Sequence, residues 1–289
     1  MKLLKPTFLA ALASIFMLVS CNNEPAADTG TQPSQKDSNM NAETDSNAIK
    51  EEKVTYTADG TSLVGYLYYD STATGKRPIV VVVPEWWGLT EYPRLRAQKL
   101  AQLGYVAFAA DMYGNGQVAS NPQEAQALAT TMYKDVQAAQ GRLKAALEKA
   151  KTYPQSDSSQ TAAIGYCFGG SMVLNAAVLN TGFDGVVSFH GGLDGVQLPK
   201  SKVETKILIC NGAADSFVTQ DQIDAFTKAL DSVGADYTFK SYPGAMHAFT
   251  NPNATEMGKK FNMPIAYNAA ADTASWNEMK QFFGKLFNK

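Results

Sequence analysis

The sequence predicts an α/β fold, a mostly parallel central sheet with helices on both faces, and three observations carry that expectation. Short runs of β-branched and apolar residues recur along the chain, as in Ile79-Val80-Val81-Val82-Val83 and Ile207-Leu208-Ile209-Cys210. These runs are apolar without alternation, the mark of strands buried on both faces. Between them lie stretches in which apolar residues return every three or four positions, the period of a helix covered on one side.

The elements follow in order. Val54 and Tyr56, then Leu63 to Tyr68, flank Asp59-Gly60 and predict an antiparallel hairpin. Ile79 to Val83 is a buried strand. Leu95, Leu100 and Leu103, with Ala97 and Ala101, predict a helix stopped by Gly104 in the C′ position. Tyr105 to Ala110 is a second buried strand. Val136, Ala139, Leu143, Ala146 and Leu147 fall on one face of a long helix, and Thr161 to Ile164 reads as a short strand followed by a helix containing Met172 to Leu179. Val186 to Phe189 and Ile207 to Cys210 are further strands. Ile223, Phe226, Leu230 and Val233 mark an amphipathic helix before the strand Tyr237 to Tyr242. Trp276, Met279, Phe283 and Leu286 close the chain at helical spacing. One domain over residues 49–289 fits this alternation.

Residues 1–20 read as an address. Lys2 and Lys5 precede a short apolar run from Phe8 to Val19, too short for a membrane span and suited to a signal peptide. Leu18-Val19-Ser20-Cys21 resembles the bacterial lipoprotein cleavage box, whose cysteine becomes the lipidated first residue. An ordinary secretory signal with an incidental Cys21 is the alternative. Residues 21–48 are polar and Pro-containing, with little to bury, and read as a disordered tether. The expected location is extracytoplasmic, with the lipid on Cys21 holding the chain to a bacterial cell-envelope membrane.

Composition excludes some functions. The 289 residues are 45% hydrophobic and 18% charged with a net charge of −2, so nothing favours nucleic acid. Three cysteines make a disulfide framework improbable. Cys210, inside a strand, reads as a small buried hydrophobe.

Chemistry in open α/β sheets collects beyond the carboxyl ends of the strands. There Gly165-Tyr166-Cys167-Phe168-Gly169-Gly170 forms the cysteine version of the G-x-S-x-G nucleophile elbow. A helix N-terminus behind the sulfur favours a thiolate. A structural cysteine with coincidental glycines is the bland reading. The chain contains two histidines, His190 and His247, each after a strand. The α/β-hydrolase order of nucleophile, acid and histidine selects Asp215 and His247, with Asp194 and His190 as rivals. His190 is otherwise a packing residue near the pocket. The backbone N–H of Phe168 and that of Trp86, in Pro84-Glu85-Trp86-Trp87-Gly88, are the expected oxyanion donors. Glu85 stands open between a solvated loop charge and a functional carboxylate.

From about residue 50 onward the chain resembles the dienelactone hydrolase family of the α/β-hydrolase superfamily. The resemblance rests on residues 84–88, Asp111-Met112-Tyr113, residues 165–170, Asp215 and Gly244-Ala245-Met246-His247-Ala248-Phe249. It implies a Cys167–Asp215–His247 triad, with Glu85 taking the thiol proton when substrate arrives. It also implies a substrate site that includes Trp87, Tyr113 and the neighbourhood of His190. The family's two carboxylate-binding arginines fall on Asn115 and Asn251 here, and an amide lacks the charged bidentate grip of a guanidinium. A small neutral ester or lactone is therefore the expected substrate, with no metal and no cofactor. A ligand-binding surface lipoprotein of low turnover is the competing class, and thiol–disulfide chemistry at Cys167 lacks a resolving cysteine.

Overall fold

The computed structural model describes residues 48–288, so the expectations for the signal peptide, Cys21 and nearly all of the tether lie outside the described residues. The chain opens with a hairpin of β1 (Ile49–Ala58) and β2 (Thr61–Asp70). Its two turn residues, Asp59 and Gly60, have φ of 47° and 75°, as a type I′ turn demands. Then come β3 (Arg77–Val83), α1 (Glu91–Gln102) and β4 (Val106–Ala109). They are followed by α2 (Pro122–Lys134), α3 (Val136–Lys151), β5 (Ser156–Tyr166), α4 (Phe168–Val178), β6 (Gly185–Phe189) and β7 (Lys206–Gly212). The last elements are α5 (Gln220–Ser232), β8 (Tyr237–Tyr242), α6 (Ala254–Phe261) and α7 (Ala269–Leu286).

The strands form one eight-stranded sheet in the order β1-β2-β4-β3-β5-β6-β7-β8. β1 pairs antiparallel with β2, and β2 with β4; every later pairing is parallel. From β3 the chain first adds β4 on one side and later β5 on the other. This reversal opens a crevice beyond the carboxyl ends of β3 and β5, the place where open α/β sheets bind ligands.

Burial explains the apolar runs. Ile79 to Val83 are all 0% exposed, and alternate residues enter separate cores. Ile79, Val81 and Val83 pack with α3 and α4, while Val80 and Val82 pack with α1 and α7. Each such side chain contributes about 1.5–3 kcal/mol relative to exposure.

Three expectations need correction. The apolar stripe of α1 is not Leu95 and Leu103, which are 47% and 40% exposed; Tyr92, Arg96, Ala97, Leu100 and Ala101 face inward. The strand expected at Thr161 to Ile164 runs from Ser156 to Tyr166, with a register irregularity against β3 at Pro78/Ile79. Helices α2 and α6 were not expected at all. α2 buries only Ala125, Ala129 and Met132, and α6, eight residues long, only Ala254 and Gly258, so their fully buried faces are small and built mostly of small residues. The signal for α2 was in its cap: the Asn121 side chain accepts from the Glu124 N–H, with Pro122 in the first turn.

Candidate active site

Cys167 occupies the single residue between β5 and α4, with φ 53° and ψ −115°. A non-glycine residue held there costs about 1–3 kcal/mol, so its surroundings must enforce it. They do so through its N–H, which donates to the Phe189 carbonyl at 3.0 Å and to His190 Nδ1 at 3.1 Å. The flanking glycines serve close approach. A Cβ on Gly165 would strike the Gly169 carbonyl, and one on Gly169 would come within 2.6 Å of the Pro84 oxygen and closer still to that of Val83. The first turn of α4 therefore lies directly on the end of β3, which brings residues 84–88 to the Cys167 turn. The Phe168 N–H, in that first turn, has no intrahelical acceptor.

Asp215 lies in the turn after β7. Its Oδ1 accepts the Phe217 N–H at 2.9 Å, and its Oδ2 lies 2.8 Å from His247 Nδ1. His247 follows β8, and its carbonyl accepts the Ala266 N–H, which ties the His247 loop to the segment after α6. The Phe217 ring stands edge-on to the imidazole at 5.0 Å between centroids. Burial opposes charge on His247, but the electrostatic influence of the adjacent Cys167 and the Asp215 hydrogen bond outweigh it and raise its pKa to about 10. The sulfur, imidazole and carboxylate thus stand in a row, with the proton on the ring favoured whenever the sulfur is charged.

Glu85 is not a solvated loop charge. It is 4% exposed, and its Oε2 accepts from Asn251 Nδ2 at 2.8 Å. Burial raises its pKa to about 7, against the lowering influence of that hydrogen bond and of His247 and Arg96. Cys167, His247, Glu85 and Asn251 share a cavity of about 800 Å³ with Trp86, Trp87 and Phe168. Phe217, Met257, Met263 and Ile265 supply an apolar side. Among the described residues its carboxylates are Glu85 and Asp194, and no lysine or arginine lines it.

A family model described as the dienelactone hydrolase family matches residues 63–287. The chain belongs to the dienelactone hydrolase family. A protein named as a candidate carboxymethylenebutenolidase of Aquifex aeolicus is 30% identical over 204 residues, covering 68% of this chain and 86% of its own length. Protein usf of Aquifex pyrophilus is 27% identical over 236 residues, covering 80% of this chain and 96% of its own. A solved structure of a dienelactone hydrolase-like promiscuous phosphotriesterase from metagenomic libraries superposes with a TM-score of 0.76 at 33% identity, covering 83% and 99% of the two chains. Within the dienelactone hydrolase family this chain is a carboxylic ester hydrolase on an α/β-hydrolase fold.

Not every residue expected at the family's substrate site reaches the cavity. Trp87 and Asn251 line it. Tyr113 does not: it is buried behind the wall, its hydroxyl donating to the Trp86 carbonyl at 2.9 Å and its ring against Phe168. Asn115 sits in a left-handed turn at φ 53°, its N–H bonded to the Ser62 carbonyl, and its exposed side chain is not part of the cavity. His190 is 0% exposed with both ring nitrogens engaged, so it has no polar atom left for substrate. Asp111, matched by the family resemblance, is structural here. Its carboxylate accepts the N–H groups of Val64, Tyr113, Gly114 and Gly116 and so fixes the turn that supports Trp86. Tyr92, Arg96 and Thr250, which packing arguments alone would not single out, form a polar cluster beneath the site.

Proposed function

We propose that the chain hydrolyses small neutral carboxylic esters or lactones through a thioester on Cys167. Cys167 and His247 at one wall of the cavity, with Asp215 buried behind the imidazole, carry this reading. The Cys167 thiolate attacks the ester carbonyl carbon, and the new oxyanion takes hydrogen bonds from the Phe168 and Trp86 N–H groups. As the tetrahedral intermediate collapses, the C–O bond breaks and the departing alkoxide receives the His247 proton. A water molecule then loses a proton to His247, its oxygen attacks the thioester, and the C–S bond breaks to return the thiolate and release the acid. Asp215 holds the imidazole in the orientation both transfers need. Glu85, poised near neutrality in the same cavity, is the group suited to receive the thiol proton when the nucleophile is charged.

The preference for uncharged substrates rests on the lining. A carboxylate entering this cavity would meet Glu85 and Asp194, and the one cationic side chain lining it, His247, is already paired with Asp215. The N-terminal sequence supports a second part of the proposal: lipidation at Cys21 would tether the enzyme to an envelope membrane, with the substrate reached outside the cytoplasm. Metabolic labelling with a clickable fatty acid, lost in Cys21→Ala, checks the tether.

An activated aryl ester tests the chemistry. Pre-steady-state release of the phenol is expected to show a burst of about one equivalent per chain, absent in Cys167→Ala. A Cys167→Ala variant with the same burst would refute the reading.

A further inference from the structure

His190 lies beneath the nucleophile turn and is not consumed by the reaction above. The chain leaves β6 through it at φ 42°, just as it leaves the neighbouring β5 through Cys167 at φ 53°. The His190 N–H donates to the Cys210 carbonyl, which fixes its own backbone. Its side chain then reaches back, and Nδ1 accepts the Cys167 N–H at 3.1 Å. An N–H donor at Nδ1 requires a lone pair there, so in the neutral ring the hydrogen must sit on Nε2. Nε2 lies 2.7 Å from Thr250 Oγ1.

Thr250 is itself held from two sides. Its hydroxyl lies 2.6 Å from the Tyr92 hydroxyl, and its carbonyl accepts from Arg96 at 2.6 Å. Arg96 also donates to the Tyr92 hydroxyl and pairs with Asp272 at 2.5 Å. Tyr92, Arg96, His190 and Thr250 are all buried, so no solvent competes for these bonds. Thr250 follows His247 by three residues. One chain of hydrogen bonds therefore joins the backbone of Cys167 to the loop that carries His247.

We infer that His190 is a positioning residue for the nucleophile: as the neutral Nε2–H tautomer, fixed by Thr250, it holds the strained Cys167 backbone in register with the His247 loop. Burial, then the positive charges of His247 and Arg96, keep the His190 ring neutral by moving its pKa well below 6.5. The other tautomer would set two N–H groups against each other at Nδ1 and release the turn. This inference rests on Cys167 being the nucleophile, but the tautomer is a property of the resting protein and is measured without turnover.

The chain has two histidines, so a histidine-selective 15N spectrum contains only His190 and His247. His190 is expected to show a protonated Nε2 and an unprotonated Nδ1 throughout the neutral range, and Thr250→Val is expected to lose that pure pattern. Asparagine at 190 places an oxygen where Nδ1 was, so His190→Asn should keep kcat within about fivefold of wild type, whereas His190→Phe should lose about 10²-fold in kcat with KM little changed. A ring protonated at Nδ1, or equal kcat in His190→Phe and wild type, overturns the inference. So does an equal loss in His190→Asn and His190→Phe. Should His190→Phe fail to fold, the spectra of the wild type and Thr250→Val decide alone. Turnover by Cys167→Ala would sink the thioester mechanism and leave the tautomer measurement standing.

Discussion

The Asn251 amide donates a 2.8 Å hydrogen bond to Glu85 Oε2, so the carboxyl shares its buried site with a neutral partner rather than a cation. A guanidinium at that place would hold the carboxylate ionised. An amide only moderates the effect of burial, which leaves the Glu85 pKa at about 7. In the proposed mechanism, proton storage beside Cys167 and the preference for uncharged substrates would both trace to this pair.

The first prediction concerns stability. The folded pKa of Glu85 lies above its ordinary value of 4.5, so the native state holds a proton that the unfolded state has released between those two values. Stability therefore falls as pH rises from about 4.5 to about 7 and then stops falling. Glu85→Gln removes this loss and keeps an acceptor for Asn251. Urea unfolding should show the variant more stable by about 2–3 kcal/mol near pH 8 and little different near pH 4.

The second concerns substrate charge. Wild type should favour the uncharged methyl ester of a lactone acid over the free carboxylate form, measured as kcat/KM. Asn251→Arg should raise kcat/KM for the carboxylate form by about tenfold or more, because a desolvated guanidinium can pair with it. An unchanged ratio would mean that position 251 does not read substrate charge.

The third follows His247 through its titration. The charge on Cys167 is the largest influence raising the ring pKa, with the Asp215 hydrogen bond next. Cys167→Ala should therefore lower the His247 midpoint by about one unit or more in a proton NMR titration. A high midpoint stabilises the fold while the ring is charged, and this contribution is lost as pH rises towards about 10. The loss starts near the ordinary histidine value of 6.5 in both proteins, so in Cys167→Ala it should be smaller and complete at lower pH.

The fourth tests the contact between elbow and β3. A methyl group on Gly169 must displace the Val83 and Pro84 carbonyls. Gly169→Ala is expected to lose about 2–4 kcal/mol in chemical denaturation and to depress kcat through the shifted Trp86 N–H.

Features set by neighbours in the chain were legible beforehand. The Asp59-Gly60 turn, the valine run of β3 and the strand–cysteine–helix turn each rest on a few consecutive residues, and each has the geometry its chemistry demands. Side-chain destinations across the fold were not. His190 reaches Thr250 across 60 positions and Arg96 reaches Asp272 across 176, distances at which periodicity carries no information. Asn115 illustrates the same limit. It occupies an arginine's place in the family pattern, yet its left-handed backbone leaves its side chain exposed and off the cavity wall. Glu85 could not be placed by composition either, since its buried carboxylate meets its partner Asn251 across 166 positions.

Intact-protein and peptide mass spectrometry on enzyme acid-quenched during turnover of a slow ester tests the covalent step most directly. The peptide containing Cys167 should gain the mass of the acyl group less one hydrogen, and hydroxylamine should strip it off. Steady turnover with Cys167 unmodified at every quench time, and with no loss on changing Cys167 to alanine, would contradict thioester catalysis.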